Sequence, residues 1–220
     1  MRRKPWARPE LAACEFFVDI PSQNAGQWHT RFKKAEQPIH LELGCGKGMF
    51  AAYAALQNPS INYIGVDIKS EVLAVARRTI VKLFEDNNRT VDNILLTAQN
   101  IEQIEQMLTP NDQIDRIYIN FCNPWTREKH KKRRLTHPKQ LALYKTFLKS
   151  NGEIHFKTDS EELFEDSIDY FKASGFDVTY ITRDLHKSDV VGNIETEHEK
   201  MFSDEGIAIK YLKAKPIEST

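Results

Sequence analysis

Cysteine is scarce and scattered. Cys14, Cys45 and Cys122 are the only three in 220 residues, an odd number with no short spacing between them. That excludes a disulfide-framed fold and speaks against a zinc site; the thiols suit a reducing compartment. Long apolar stretches are missing too. No run of about 18 apolar residues occurs, so no membrane-spanning helix is expected, and the basic, proline-flanked start lacks the apolar stretch of a signal peptide. Together these absences predict a cytoplasmic protein with no membrane partner. His130, His137 and His155 share no ligand spacing, so no metal is expected. Excess charge is also lacking: 31 basic residues balance 31 acidic ones. Overall charge therefore says nothing about nucleic acid, and only its distribution can. There is no internal repeat and no low-complexity segment. The length suits one domain with a full core and a short appendage.

What is present is more telling. Ile39, Leu41 and Leu43 alternate in an apolar run that predicts a buried strand. It leads into Gly44, Gly46 and Gly48, and Ala51, Ala52, Ala54, Ala55 and Leu56 then predict a helix. Strand, glycine turn and helix open a nucleotide-binding α/β unit. Glycines let backbone approach a ligand where a Cβ would collide. The spacing is G-x-G-x-G, not the G-x-G-x-x-G of a dinucleotide pyrophosphate site. Glu42, two positions before the first glycine, would repel a pyrophosphate. It suits a ligand with a cationic end, such as the ammonium and sulfonium of S-adenosylmethionine. A plain tight turn would give the same pattern.

The rest of the chain continues the alternation of strand and helix. Residues 1–10 carry Arg2, Arg3, Lys4 and Arg8 and read as a flexible basic arm, for gripping phosphates or for solubility. A short strand is expected within 14–20, then a helix from Ser22 to about Lys34 that buries Trp28 and Phe32. Ile61 to Asp67 predicts a strand ending on a carboxylate. Asp67 lies 19 positions after Gly48, near the spacing at which an acidic residue meets a ribose diol; it could instead cap the helix that runs to about Asp86. A strand at 93–97 is followed by Gln99 and Asn100, either of which could face the nucleoside base or cap the short helix to Leu108.

Asp115 to Phe121 predicts a fourth strand of this alternation. It leads into Cys122-Asn123-Pro124-Trp125, a loop expected beyond the carboxyl end of a parallel strand, where ligands bind. Pro124 stiffens it, Trp125 offers a stacking face, and Asn123 offers donor and acceptor. Arg127-Glu128-Lys129-His130-Lys131-Lys132-Arg133-Arg134 follows, the densest internal basic stretch. It reads as a grip on a phosphate backbone through Arg127, Lys129, Lys131, Lys132, Arg133 and Arg134, or as a solvated face. A helix is expected from Pro138 to Lys149, a strand from Asn151 to Lys157, and an acidic helix at 161–173 that Asp159 could cap unless it faces the pocket. A strand from Gly175 to Ile181, a polar loop with a short helix at 184–200 and a last strand from Gly206 to Tyr211 complete the chain.

The E-x-G-x-G-x-G opening and the element count resemble class I S-adenosylmethionine-dependent methyltransferases. Residues 39–50, 61–73, 114–136, 151–160 and 184–203 resemble the bacterial tRNA (guanine-N7-)-methyltransferase family (TrmB). Lys131 to Thr136, His155 to Asp159 and Thr196-Glu197-His198-Glu199 are the most specific pieces, and the resemblance covers nearly the whole chain beyond residue 38. It implies a Rossmann-like α/β fold: a seven-stranded, mostly parallel sheet with helices on both faces and an antiparallel last strand. The methyltransferase domain would be 38–220, after an arm, short strand and helix at 1–37. It implies S-adenosylmethionine as methyl donor, with S-adenosylhomocysteine as product. It also implies tRNA as partner, guanine at position 46 of the variable loop as acceptor, and a monomer or homodimer with no obligate protein partner.

Carried over by position, Glu42, Asp67 and Asn100 would hold S-adenosylmethionine with the three glycines. Asn123 would stand near both methyl donor and base. Arg127, Asp159 and Thr196 to Glu199 would face the substrate. The family commonly has Asp where this chain has Asn123, and often where it has Asn100. An Asn at 123 is compatible with the reaction, because guanine N7 carries an in-plane lone pair and no proton. Proximity and orientation alone can then supply ~7–11 kcal/mol of the barrier. Glu199 or Asp159 could accept from guanine N1–H and the 2-amino group, donors that adenine lacks there. Two other readings remain. One is an amino methyltransferase on adenine or cytosine, since Asn123-Pro124-Trp125 is similar to the Asn-Pro-Pro-Tyr loop of that class without its second proline. The other is a tRNA-binding module without turnover. The glycine spacing tells against a nicotinamide dehydrogenase.

Overall fold

Every residue of the strand Ile39–Leu43 (β2) is buried, His40 and Glu42 included. A strand covered on both faces is the mark of a parallel α/β sheet. The computed structural model describes residues 4–217 and divides into two compact units, one up to Asp112 and one from Gln113. In the first unit, β2 pairs in parallel with Asn62–Asp67 (β3), β3 with Ile94–Ala98 (β4), and β4 with the short strand Phe17–Val18 (β1). In the second, Ile114–Asn120 (β5) pairs in parallel with Leu148–Thr158 (β6). Lys210–Pro216 (β8) runs antiparallel to both β6 and Phe176–Thr182 (β7). The described residues thus hold eight strands: the seven expected of the methyltransferase domain and, beside β4, the short strand expected within 14–20, which is β1. The last strand is antiparallel, as expected.

The helix Met49–Gln57 (α2) buries Phe50, Ala51, Ala52, Ala54 and Ala55, and small residues allow that close approach. Gly48 opens it in the left-handed region, φ 74°. A Cβ at Gly48 would stand 2.7 Å from Ala76 Cβ of the next helix, Ser70–Asp86 (α3). The third glycine is therefore a packing requirement between two helices.

Three local expectations need correction. The arm is ordered from residue 7: Ala7–Ala12 (α1) is a helix that packs against α3 through buried Ala7 and Leu11. Pro9 falls in its first turn, where the missing N–H costs nothing. Arg78 of α3 bonds Glu10 through Nε at 2.9 Å and lies 3.7 Å over the Trp6 ring. Arg2 and Arg3 lie outside the described residues.

The helix expected from Ser22 is instead two 3₁₀ turns, Pro21–Asn24 and Trp28–Arg31, separated by Gly26 at φ 81°. Buried Asp112 accepts the Gly26 N–H at 2.7 Å and the Trp28 N–H at 3.2 Å, donors a continuous helix would have used. Trp28 and Phe32 are buried as expected.

The last strand starts at Lys210, not Gly206. Gly206, φ 75°, closes the helix Glu197–Asp204 (α6), with its N–H on Ser203 O and the Ile207 N–H on Phe202 O. Helix Pro138–Phe147 (α4) likewise yields to β6 at Leu148, and Glu161–Ala173 (α5) forms where expected.

Gly48→Ala should destabilise the protein by about 2–3 kcal/mol, from overlap with Ala76 plus a left-handed backbone. Gly44→Ala, φ 81° with nothing within 4 Å of the new Cβ, should cost only the backbone part, about 1 kcal/mol. Urea unfolding midpoints of the two variants test the ranking.

Candidate active site

In the first unit the sequence-predicted cofactor residues gather at the carboxyl ends of three neighbouring parallel strands. β2 ends at Leu43, β3 at Asp67 and β4 at Ala98, with Asp67 and Ala98 in register. The N–H groups of Gly44 and Cys45 both donate to Val66 O, at 2.8 and 2.9 Å, which folds the glycine turn back onto β3. Asp67 Oδ2 accepts the Gly46 N–H at 3.1 Å and Oδ1 the Lys69 N–H at 3.0 Å. Asp67 is therefore a clasp between two loops rather than the cap of α3, whose N-cap is Lys69. Each carboxylate oxygen keeps a lone pair for a further donor. Gly44 and Gly46 both have positive φ, and a Cβ on either would enter open space. Asn100 caps the 3₁₀ turn Ile101–Gln106, accepting the Glu102 N–H at 3.1 Å, and Gln99 donates to Gln103 O at 2.9 Å.

The surroundings fit S-adenosylmethionine. An open, side-chain-free cradle is flanked by buried Glu42 and by Asp67, the charge a sulfonium and an ammonium require and a pyrophosphate does not. Burial and the nearby Glu42 and Asp67 carboxylates push the Cys45 thiol well up, so it sits there as a neutral filler. A larger cavity of about 610 Å³ opens at the amino end of β4. It contains none of these residues.

In the second unit the predicted substrate residues also meet, at the paired carboxyl ends of β5 and β6. Asn120 and Lys157 are in register, so the loop after β5 and Asp159, just past the end of β6, leave side by side. The Phe121 N–H donates to Lys157 O at 3.0 Å. Phe121 (φ 52°) and Trp125 (φ 41°) both take left-handed backbone without being glycine. Such strain persists only where the surroundings over-determine it, and it clusters at working sites. Between them, Asn123 Oδ1 accepts the Trp125 N–H at 3.0 Å. Asn123, Trp125, Thr126, Arg127 and His130 line a depression of about 270 Å³. The Trp125 face is partly taken: the Arg133 guanidinium lies 4.3 Å over it, and the His130 ring meets it edge-on at 5.6 Å.

Thr196 to Glu199 reach the same strand ends. The Phe121 and His198 rings stack at 6.0 Å, and Lys157 donates to Glu199 at 2.9 Å. Thr196 caps α6 in a reciprocal capping box with Glu199. Asp159 is partly exposed and does not cap α5, a role Ser160 takes by accepting the Leu163 N–H at 3.3 Å.

Two predicted substrate residues are built inward instead. Glu199 is fully buried, with Oε2 on Lys157 and the Thr196 N–H (3.4 Å) and Oε1 on Asn193 Nδ2 (2.6 Å), with His186 3.3 Å away. With three hydrogen bonds and the His186 ring around it, and no exposed surface, this carboxylate is placed to hold the scaffold and not to read a base. Arg134 is fully buried as well. Its Nε donates to Pro124 O at 2.6 Å, and its terminal nitrogens bond Asp166 and, at 3.0 Å, Glu162. It cannot meet a phosphate. Lys131 is half-committed, within 3.0 to 3.3 Å of Glu162, Asp166 and Glu128, and those carboxylates, Glu162 first, raise its pKa. Arg127, Lys129, Lys132, Arg133, Glu197 and His198 are exposed. Sequence reading missed Lys157, Asn193, Glu162 and Asp166, which the architecture requires as ionic and hydrogen-bond partners.

A family model described as "Putative methyltransferase" matches residues 36–212. A tRNA (guanine-N(7)-)-methyltransferase of Clostridium beijerinckii is 60% identical over 214 residues, 97% of each chain. One of Clostridium perfringens is 58% identical over 217 residues, 99% of each chain. The chain belongs to the tRNA (guanine-N(7)-)-methyltransferase family. Among solved structures, the 16S rRNA methyltransferase KamB superposes with a TM-score of 0.59 at 16% identity, over 83% of this chain and 89% of that one. An antibiotic-related methyltransferase gives 0.59 at 16% identity, over 83% and 88%. At that identity the likeness is one of fold, the methyltransferase fold expected from the glycine motif.

The buried pair sets a stability test. Glu199→Gln leaves the Lys157 ammonium buried without its counter-charge and should cost roughly 3 kcal/mol or more. Urea denaturation reads this directly, and an unshifted midpoint would contradict the assignment of Glu199 to the scaffold.

Proposed function

We propose that this protein transfers a methyl group from S-adenosylmethionine to N7 of a guanine in tRNA, the guanine of the variable loop. Support comes from the full-length likeness to the family together with one structural observation. Asn123, Asp159 and the Thr196–His198 segment converge on paired strand ends, next to an exposed basic run.

Glu42, the cradle of Gly44, Gly46 and Gly48, Asp67 and Asn100 would hold S-adenosylmethionine. Asp67 takes the ribose hydroxyls on its remaining lone pairs, and Asn100 accepts from the adenine amino group. When bound, that group supplies a methyl carbon activated by a sulfonium. The acceptor nitrogen has a lone pair and no proton, so the protein's task is to orient and to exclude water. Asn123, its carbonyl engaged by the Trp125 N–H, keeps its amide donors for the substrate. Asp159 takes the guanine N1–H and 2-amino donors. Arg127, Lys129, Lys132 and Arg133 take phosphates, Arg133 held flat by the Trp125 ring. Glu197 and His198 border the same site, and Thr196 fixes the helix that carries them.

Incubation with S-adenosylmethionine and unmodified tRNA, digestion to nucleosides and mass spectrometry should give 7-methylguanosine. A methylated exocyclic amine would overturn the reading in favour of an amino methyltransferase, and no incorporation would leave a binding module. Lys132→Ala should weaken tRNA binding and lower the slope of log K against log salt by about 1. S-adenosylmethionine affinity and melting temperature should be unaffected, and an unchanged slope would remove Lys132 from the phosphate contacts.

A further inference from the structure

The basic run ends on a residue that RNA cannot reach. Arg134 is wholly buried, yet it sits in an ionic cluster with Lys131, Glu128, Glu162 and Asp166. Glu162 and Asp166, one turn apart on α5, receive its two terminal nitrogens. Nε is then the only nitrogen directed elsewhere, and it donates to Pro124 O at 2.6 Å. Proline has no N–H to give, so this carbonyl is a handle on the loop from outside. Either side of it lie the Asn123–Trp125 turn and the left-handed Trp125 backbone. Two further ties fasten the same stretch to α5. Lys131 shares Glu162 and Asp166, and Thr136 Oγ1 meets Ser167 Oγ at 2.7 Å.

We propose that Arg134 is a positioning residue. Clamped by Glu162 and Asp166, its guanidinium holds the Pro124 carbonyl and thereby fixes the Asn123 amide and the Trp125 ring. This rests on the methyl-transfer reading above. A guanidinium suits the role because its fork directs three nitrogens at fixed angles in one plane. A lysine can neutralise the two carboxylates but has no fixed fork with which to hold the carbonyl too.

Arg134→Lys is the test. The variant should keep the parent's affinity for S-adenosylmethionine, its tRNA dissociation constant within about twofold and its salt slope. Its kcat should fall by roughly 100-fold, the scale of a misplacement of about 1 Å. Protein labelled with 5-fluorotryptophan adds a readout that needs no turnover. The ¹⁹F resonance of Trp125, assigned with Trp125→Phe, should shift or broaden, while those of Trp6 and Trp28 stay in place. A parental kcat with an unmoved Trp125 line overturns the proposal, and a salt slope lowered by about 1 would make Arg134 a phosphate contact instead. Should Arg134→Lys fail to fold, Asp166→Asn, which loosens the clamp while keeping Arg134, is read by the same criteria. If the parent makes no 7-methylguanosine, the functional reading fails while the Trp125 line still decides whether the clamp exists.

Discussion

Where a parallel strand leaves its ladder, the backbone groups released there must find other partners. Both units of this chain meet that demand at the carboxyl ends of their strands, by different means. The first unit uses glycine: left-handed turns bring two N–H groups onto Val66 O and a third onto the Asp67 carboxylate. The second uses side chains and strain: Asn123 takes a main-chain N–H, Arg134 takes the Pro124 carbonyl, and Phe121 and Trp125 accept left-handed backbone. The residues proposed to bind ligands are largely those that solve this local problem. A side chain fixed by such a bond loses little further freedom when a ligand arrives.

The basic run shows how a chain without net charge can still present a cationic surface. Glu128–Arg133 is a 3₁₀ helix, and with three residues per turn its positions eclipse at every third residue. Glu128, Lys131 and Arg134 fall on one line; Lys131 and Arg134 engage α5, and Glu128 pairs with Lys131. Lys129, Lys132 and Arg133 fall on the others and are exposed. The acidic residues of α5 therefore neutralise only the inward row. Part of the run's positive charge is structural, and the outward row remains available to a polyanion.

This phase also explains what could and could not be read beforehand. Alternation and glycine spacing revealed β2, the turn and α2, because each follows from the local chain. Asp67 was legible as the end of β3, though not as a clasp, since its partners lie on the loop 21 positions earlier and two residues later. The inward fate of Arg134 was hidden, because an eight-residue basic stretch reads alike at a period of 3.0, at 3.6 or as an irregular loop. Glu199 was hidden for a related reason: its burial is decided by Lys157, 42 residues earlier. The helix expected after Ser22 failed through a contact at longer range still, Asp112, which takes the N–H groups of Gly26 and Trp28. Local signals set the elements, and buried charged groups with distant partners revised them.

The composition of the loop after β5 bears on the kind of acceptor it can serve. Asn123 cannot take up a proton at neutral pH, and its carbonyl already holds a backbone donor. Its neighbour Cys122 is no substitute, since burial pushes the thiol up to about 12 and it keeps its proton. An exocyclic amine must shed a proton once methylated, and neither of these two groups could receive it. A purine N7 has none to shed. Asp159, at the adjacent strand end, is the nearby carboxylate, and in the proposed reading it serves recognition, accepting from the guanine N1–H and 2-amino group. An adenine in its place would present no matching pair of donors and would leave that acceptor without partners as water is excluded. Such a mismatch typically costs more than the loss of one hydrogen bond, so in the proposed reading Asp159 favours guanine over adenine, while the neutral Asn123 suits an acceptor that, like N7, has no proton to lose.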